Sequence, residues 1–177
     1  MKAQKIALTG ILAAIICMLA PLSFPAGAIP ISLATFAIYI IACTTDVKIS
    51  VSAVIIYILL GAAGLPVFSA FRGGLNMLAG ITGGYLIGYI PCALIIGLLT
   101  SRFENKKWVY PVSIILGSTV CYATGTLWYM NQTKSTFSSA FVVCVLPFII
   151  GEIIKIPVAS VICFTLRKRI SRFSKIK

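Results

Sequence analysis

The chain has 177 residues, 60% of them hydrophobic and 10% charged, with a mean hydropathy of +1.08 and a formal net charge of +12. Soluble domains carry about 25% charged residues, so this composition excludes a water-soluble globular domain and points to an all-α integral membrane protein. The basic excess gathers at the chain ends and in short connections between apolar runs, not on a soluble basic face of the kind nucleic-acid binding requires. The expected partner is the lipid bilayer and no nucleic acid.

A hydrocarbon core of about 30 Å is crossed by about 20 predominantly apolar residues in a helix. Runs of this kind cover residues 6–24, 31–45, 49–65, 80–100, 109–130 and 141–166. They predict a single domain over residues 1–177, a bundle of six transmembrane helices whose second span is short. Lys2 and Lys5 before the first run, with Ala26-Gly27-Ala28 behind it, imitate a secretory leader. The run is long for a leader and five more follow, so an uncleaved first span is expected. Along it Ala3, Ala7, Gly10 and Ala14 recur at intervals of four, three and four, a small-residue stripe suited to packing within the bundle or to receiving the helix of a partner protein.

Excess lysine and arginine marks cytoplasmic connections. With both termini cytoplasmic, Lys2, Lys5, Lys48, Arg102, Lys106, Lys107, Arg167, Lys168, Arg169, Arg172, Lys175 and Lys177 all fall inside, leaving Arg72 and Lys134 outside and Lys155 within a span. An odd number of spans would put the basic tail on the opposite side from the other basic loops.

Catalytic groups are scarce. Asp46, Glu104 and Glu152 are the three acidic residues, and histidine is absent. Asp46 and Glu104 lie beside Lys48 and Lys106 in connections, where ordinary loop charge accounts for them. No carboxylate pair, triad or GxxxxGK[ST] phosphate loop is present. An enzyme is therefore not expected, nor a cofactor or metal, and any ATP must be used by other subunits. The six cysteines stand singly in apolar runs and read as small buried hydrophobes.

Two stretches remain that composition does not explain. "PFIIGEIIKIPVAS" places Glu152 and Lys155 three residues apart on one face of the last helix. A lysine near the centre of a membrane helix costs about 2.5 to 3.5 kcal/mol on insertion scales, so both groups should face the interior, as a polar floor for a ligand or as a self-satisfied pair. Pro147 should open or kink this helix. The second stretch, "GLPVFSAFRGGLNMLAGITGGYLIGY", joins a glycine-rich loop carrying Arg72 and Asn76 to a helix expected to begin near Gly80, with Thr82 and Tyr85 at its outer end. Gly80, Gly84 and Gly88 repeat every four residues as a ridge for close helix packing.

Together with "PISLATFAIYI" at residues 30–40, these stretches resemble the BioY family of biotin transporters across most of the chain. The resemblance implies a six-helix substrate-capture subunit, the S component of an energy-coupling factor (ECF) transporter. Such a subunit binds biotin from outside the bacterial cytoplasmic membrane and works with a transmembrane T component and two ATPase subunits. It also implies a substrate site in which the family's acid-x-x-lysine pattern falls on Glu152 and Lys155 and its Gly-Gly-Tyr on Gly83, Gly84 and Tyr85; Arg72, Asn76 and Thr82, hydrogen-bonding groups on the same outer side, join the expected substrate site, and the stripe Ala3, Ala7, Gly10 and Ala14 is the candidate partner surface. Glu152 stands where the family usually has aspartate, Ala34 where glutamine is common, and Ile81 where proline is usual. Lys155 suits the biotin carboxylate, and Glu152 or the Asn76 carbonyl suits the ureido N–H donors, although the two ends of the ligand are assigned here by chemistry alone. The competing readings are an S component for another vitamin, a non-catalytic assembly subunit, and an intramembrane enzyme, which the poor inventory disfavours.

Overall fold

A computed structural model describes residues 2–25, 29–103 and 106–174. The leader-like pattern at 26–28, Glu104, and the tail residues Lys175 and Lys177 lie outside them. Among the described residues the chain is mostly helical: α1 Lys2–Leu19, α2 Ala34–Thr44, α3 Val47–Ala62, α4 Leu75–Ala79, α5 Gly83–Arg102, α6 Val109–Thr133, α7 Phe137–Cys144 and α8 Leu146–Ser174. A two-residue hairpin, β1 Ser23–Phe24 against β2 Ile31–Ser32, joins α1 to α2. Gly83–Arg102 and the segment Phe137–Lys168 are long and apolar enough to cross a membrane, whereas the apolar helices α1, α2 and α3 are shorter.

Three expected boundaries shift, each for a local reason. The second span is an 11-residue helix, about 16 Å long at 1.5 Å per residue. It is apolar nearly all round because it is enclosed: Ala34, Thr35, Ala37, Ile38, Tyr39, Ile41, Ala42 and Cys43 are all buried. The fourth span begins at Gly83, not Gly80. Gly80 has an extended backbone, and its carbonyl accepts the Trp128 indole N–H at 2.9 Å. Only Gly84 and Gly88 of the expected ridge enter the helix, where a Cβ on Gly84 would strike Trp128 and one on Gly88 would strike Thr124. From the opposing helix Gly125 admits the Tyr85 ring, so α5 and α6 interlock through glycines of both.

The sixth span is two helices. Pro147 has no N–H to continue the turn, and Val145 breaks the ladder with ψ of −51° at a φ of −123°. The freed carbonyl of Cys144 accepts the Tyr85 hydroxyl at 2.7 Å. Along α1, Thr9, Ala13, Ile16 and Ala20 are buried while Ala3, Ala7, Gly10 and Ala14 are exposed. The small-residue stripe is thus not part of the internal packing, and a Cβ on Gly10 would meet nothing within 4 Å. Asp46 pairs with Lys5 at 3.6 Å on the exposed surface, and five of the six cysteines are buried.

Candidate ligand-binding site

The buried charges organise one end of an internal cavity. Glu152 and Lys155 are 6% and 8% exposed, one turn apart on α8 as their spacing requires, with Lys155 Nζ 2.7 Å from Glu152 Oε1. Two tyrosines complete the carboxylate: Tyr122 from α6 donates to Oε1 at 2.7 Å and Tyr39 from α2 donates to Oε2 at 3.1 Å. Lys155 in turn donates to Thr35 Oγ1 at 2.9 Å. A buried pair holds together only when its remaining hydrogen-bonding capacity is satisfied, and here three helices supply the partners. The ammonium has three donors, and two are engaged.

Lys155 and Thr35 line a cavity of about 150 Å3, and Glu152 does not; it stands behind Lys155. The middle of the cavity is aromatic. Tyr85 stacks on Phe148 with centroids 5.6 Å apart and planes at 17°, and Tyr122 lies 5.5 Å from Phe148. Phe68 closes the opposite side, edge-on to Tyr57 at 5.6 Å. Its ring sits over Gly61, where any Cβ would strike it.

The glycine-rich loop forms the rim. Gly74 takes a φ of 97°, a conformation natural to glycine, and its N–H donates to the Gly61 carbonyl at 2.7 Å. Phe68 N–H donates to the Arg72 carbonyl at 2.8 Å, closing a short loop whose Ala70 and Phe71 have φ of 59° and 55°. Ala70 N–H donates to Ser23 Oγ at 3.0 Å, tying this loop to the β1–β2 hairpin. Arg72 and Asn76 are exposed, and both line the cavity.

Of the expected site residues, Lys155, Tyr85, Thr82, Asn76 and Arg72 meet around one cavity. Gly83 and Gly84 do not line it; a Cβ on Gly83 would strike the Leu78 carbonyl and one on Gly84 would strike Trp128, so their small size serves backbone packing. Ala34 is buried away from the cavity, and Ile81 lines it. Sequence reasoning missed Thr35, Tyr39, Tyr122, Phe68 and Phe148. Thr35 and Tyr39 were detectable as polar groups four residues apart, hence on one face of an otherwise apolar helix.

A family model described as the BioY family matches residues 1–172. The biotin transporter BioY of Thermotoga maritima is 39% identical over 162 residues, covering 90% of this chain and 93% of that protein. The biotin transporter BioY2 of Lactococcus lactis is 30% identical over 174 residues, covering 98% and 96%. The crystal structure of the S-component for biotin from an ECF-type ABC transporter superposes with a TM-score of 0.86 at 24% identity, covering 94% of this chain and 92% of that one, so the fold is shared. With the family model spanning almost the whole sequence, the chain belongs to the BioY family.

Proposed function

We propose that this chain captures biotin at the outer face of the bacterial cytoplasmic membrane, as the substrate-binding S component of an ECF transporter. The observation that carries the reading is the order of chemistry along the cavity: a neutralised ion pair at the deep end, aromatic walls between, and an exposed arginine at the mouth. Biotin has the same order, with a polar but uncharged ureido group, an apolar bicycle, and a carboxylate on an alkyl chain. A cavity of about 150 Å3 is of the size that holds benzene. The bicycle therefore fills it and the chain projects through the mouth.

This orientation reverses the expectation that Lys155 meets the carboxylate. Lys155 already neutralises Glu152 and retains one free donor, enough for the ureido oxygen, whereas a second buried carboxylate would lack a counter-charge. Arg72, with no ion pair among the described residues, offers its guanidinium where the carboxylate keeps part of its hydration. Glu152 acts through Lys155 as a positioning residue, with Asn76, Thr82 and Tyr85 as ligand contacts. Gly83 and Gly84 shape the wall indirectly. Equilibrium binding of labelled biotin to the purified protein in detergent tests the reading. Saturable binding undisturbed by excess thiamine or riboflavin supports it, and displacement of the label by either vitamin at lower concentration than by biotin overturns it.

The remainder of the assembly is proposed on the same basis. Six membrane crossings with both termini cytoplasmic follow from the distribution of basic residues. The exposed stripe Ala3, Ala7, Gly10 and Ala14 suits the T component, and a pair of cytoplasmic ATPases would hydrolyse ATP in place of this chain. Gly10→Leu is expected to abolish uptake in cells that also supply the partners while biotin binding by the isolated subunit stays within twofold. Loss of both activities would assign the stripe to folding of this chain.

A further inference from the structure

One stretch of the cavity wall is held in place by little packing. From α4 into the start of α5, Asn76, Met77, Gly80, Ile81 and Thr82 all line the cavity. Yet α4 is five residues long and buries none of them, Met77 and Leu78 being half-buried. A helix this short is not stable by itself and depends on tertiary contacts. With so little apolar burial, hydrogen bonds have to set its position. At its start the Gly74 N–H donates to the Gly61 carbonyl at 2.7 Å.

Its end is tied to α6. The last carbonyls of a helix have no partner inside it, and two consecutive ones here are met by side chains of another helix. Gln132 Nε2 donates to the Ala79 carbonyl and Trp128 Nε1 to the Gly80 carbonyl, both at 2.9 Å. Trp128 and Gln132 are four residues apart and so share one face of α6. Neither lines the cavity; both hold the backbone of a segment that does. The bonds from Gly80 N–H to the Asn76 carbonyl at 2.9 Å and from Thr82 Oγ1 to the Met77 carbonyl at 3.4 Å lie within the segment. They shape it without anchoring it to the bundle.

We propose that Trp128 and Gln132 are positioning residues for ligand binding: by gripping the end of α4 they hold Asn76, Met77, Ile81 and Thr82 at the cavity before a ligand arrives. This rests on the reading of the cavity as the biotin site. A wall already in place spares the complex the cost of ordering it. Because both bonds tether one short segment, each buffers the loss of the other, and their removal should be non-additive.

The test uses the full chain in detergent. Trp128→Phe removes the indole N–H and keeps the Cβ and Cγ that pack on Gly84, and Gln132→Leu removes the amide from an exposed position. Each alone is expected to weaken labelled biotin about twofold, and the double variant about tenfold, beyond the fourfold product. Amide hydrogen exchange of the ligand-free double variant should be at least tenfold faster across residues 76–82, unchanged in α2 and α3, and slowed again by saturating biotin. A double variant that loses no more than fourfold, or whose exchange at 76–82 matches the parent or rises equally in α2 and α3, overturns the proposal. The exchange is read without ligand, whereas failure of the proposed function shows in the unsubstituted protein as absent biotin binding, so the two failures are distinguishable.

Discussion

The two ends of the cavity are built on opposite plans. At the deep end each polar atom of the Glu152 carboxylate is engaged and the Lys155 ammonium has one donor to spare, held by side chains from α2, α6 and α8. At the mouth Arg72 projects from a loop tied down by backbone hydrogen bonds and Asn76 from α4 just after it, and both residues are exposed. Both ends are polar, yet only the deep end is preorganised. Preorganisation lowers the ordering cost of binding, so under the proposed orientation the deep end would fix the geometry of the ligand head and the mouth would supply charge. Damage to the first should appear in the empty protein, and damage to the second only in the complex.

The largest effect expected is from Glu152→Ala, which leaves Lys155 buried without its counter-charge. Breaking a buried pair costs about 3 to 5 kcal/mol, so the melting temperature of the ligand-free protein should fall and biotin affinity with it. A ligand-free protein as stable as the parent would refute the locked deep end. Next comes Arg72→Gln. Removing a hydrogen bond to a charged group costs about 1.5 to 3 kcal/mol, which should weaken biotin, spare the neutral biotin amide, and leave the empty protein's melting temperature unchanged. If Lys155→Met shows that preference between biotin and its amide instead, the carboxylate lies deep and the contrast between the two ends collapses. The smallest effect sharpens the boundary of the site: Gly84→Ala must displace Trp128, an overpacking cost of about 1 to 3 kcal/mol, visible as reduced stability with biotin affinity nearly kept. Weaker binding at unchanged stability would place Gly84 against the ligand.

How much of this was legible depended on how local the cause was. Glu152 and Lys155 could be paired from their spacing alone because 3.6 residues per turn brings i and i+3 together. The hydroxyls that complete them come from Tyr39 and Tyr122, 113 and 30 positions away, and no periodicity within one helix reveals which facing helix will present a tyrosine. Pro147 announced a disturbance, but the break fell at Val145, where Phe148 N–H donates to the Val145 carbonyl and leaves the Cys144 carbonyl to accept from Tyr85. The run at 31–45 was legible as a short apolar helix, but not that protein would enclose it, because enclosure by protein and enclosure by lipid demand the same apolar surface. Gly83 and Gly84 were expected at the ligand from their place in a motif, and no motif reveals that Leu78 of α4 crowds the first and Trp128 of α6 the second.

That seam constrains how this site can change. One wall of the cavity, carried by α5 and α6, is set by glycines at Gly84, Gly88 and Gly125 with no room left for a methyl group. The glycines cannot be exchanged there for larger residues, and the side chains that this wall does present to the cavity, Tyr85, Leu86, Tyr89 and Tyr122, stand on that fixed seam. Room for a bulkier ligand that leaves the spacing of the two helices untouched comes from shortening side chains, including Ile29, Phe68, Met77 and Ile81 on the hairpin and rim. A selection for altered substrate range should therefore return substitutions among the lining side chains while Gly84, Gly88 and Gly125 are inherited intact.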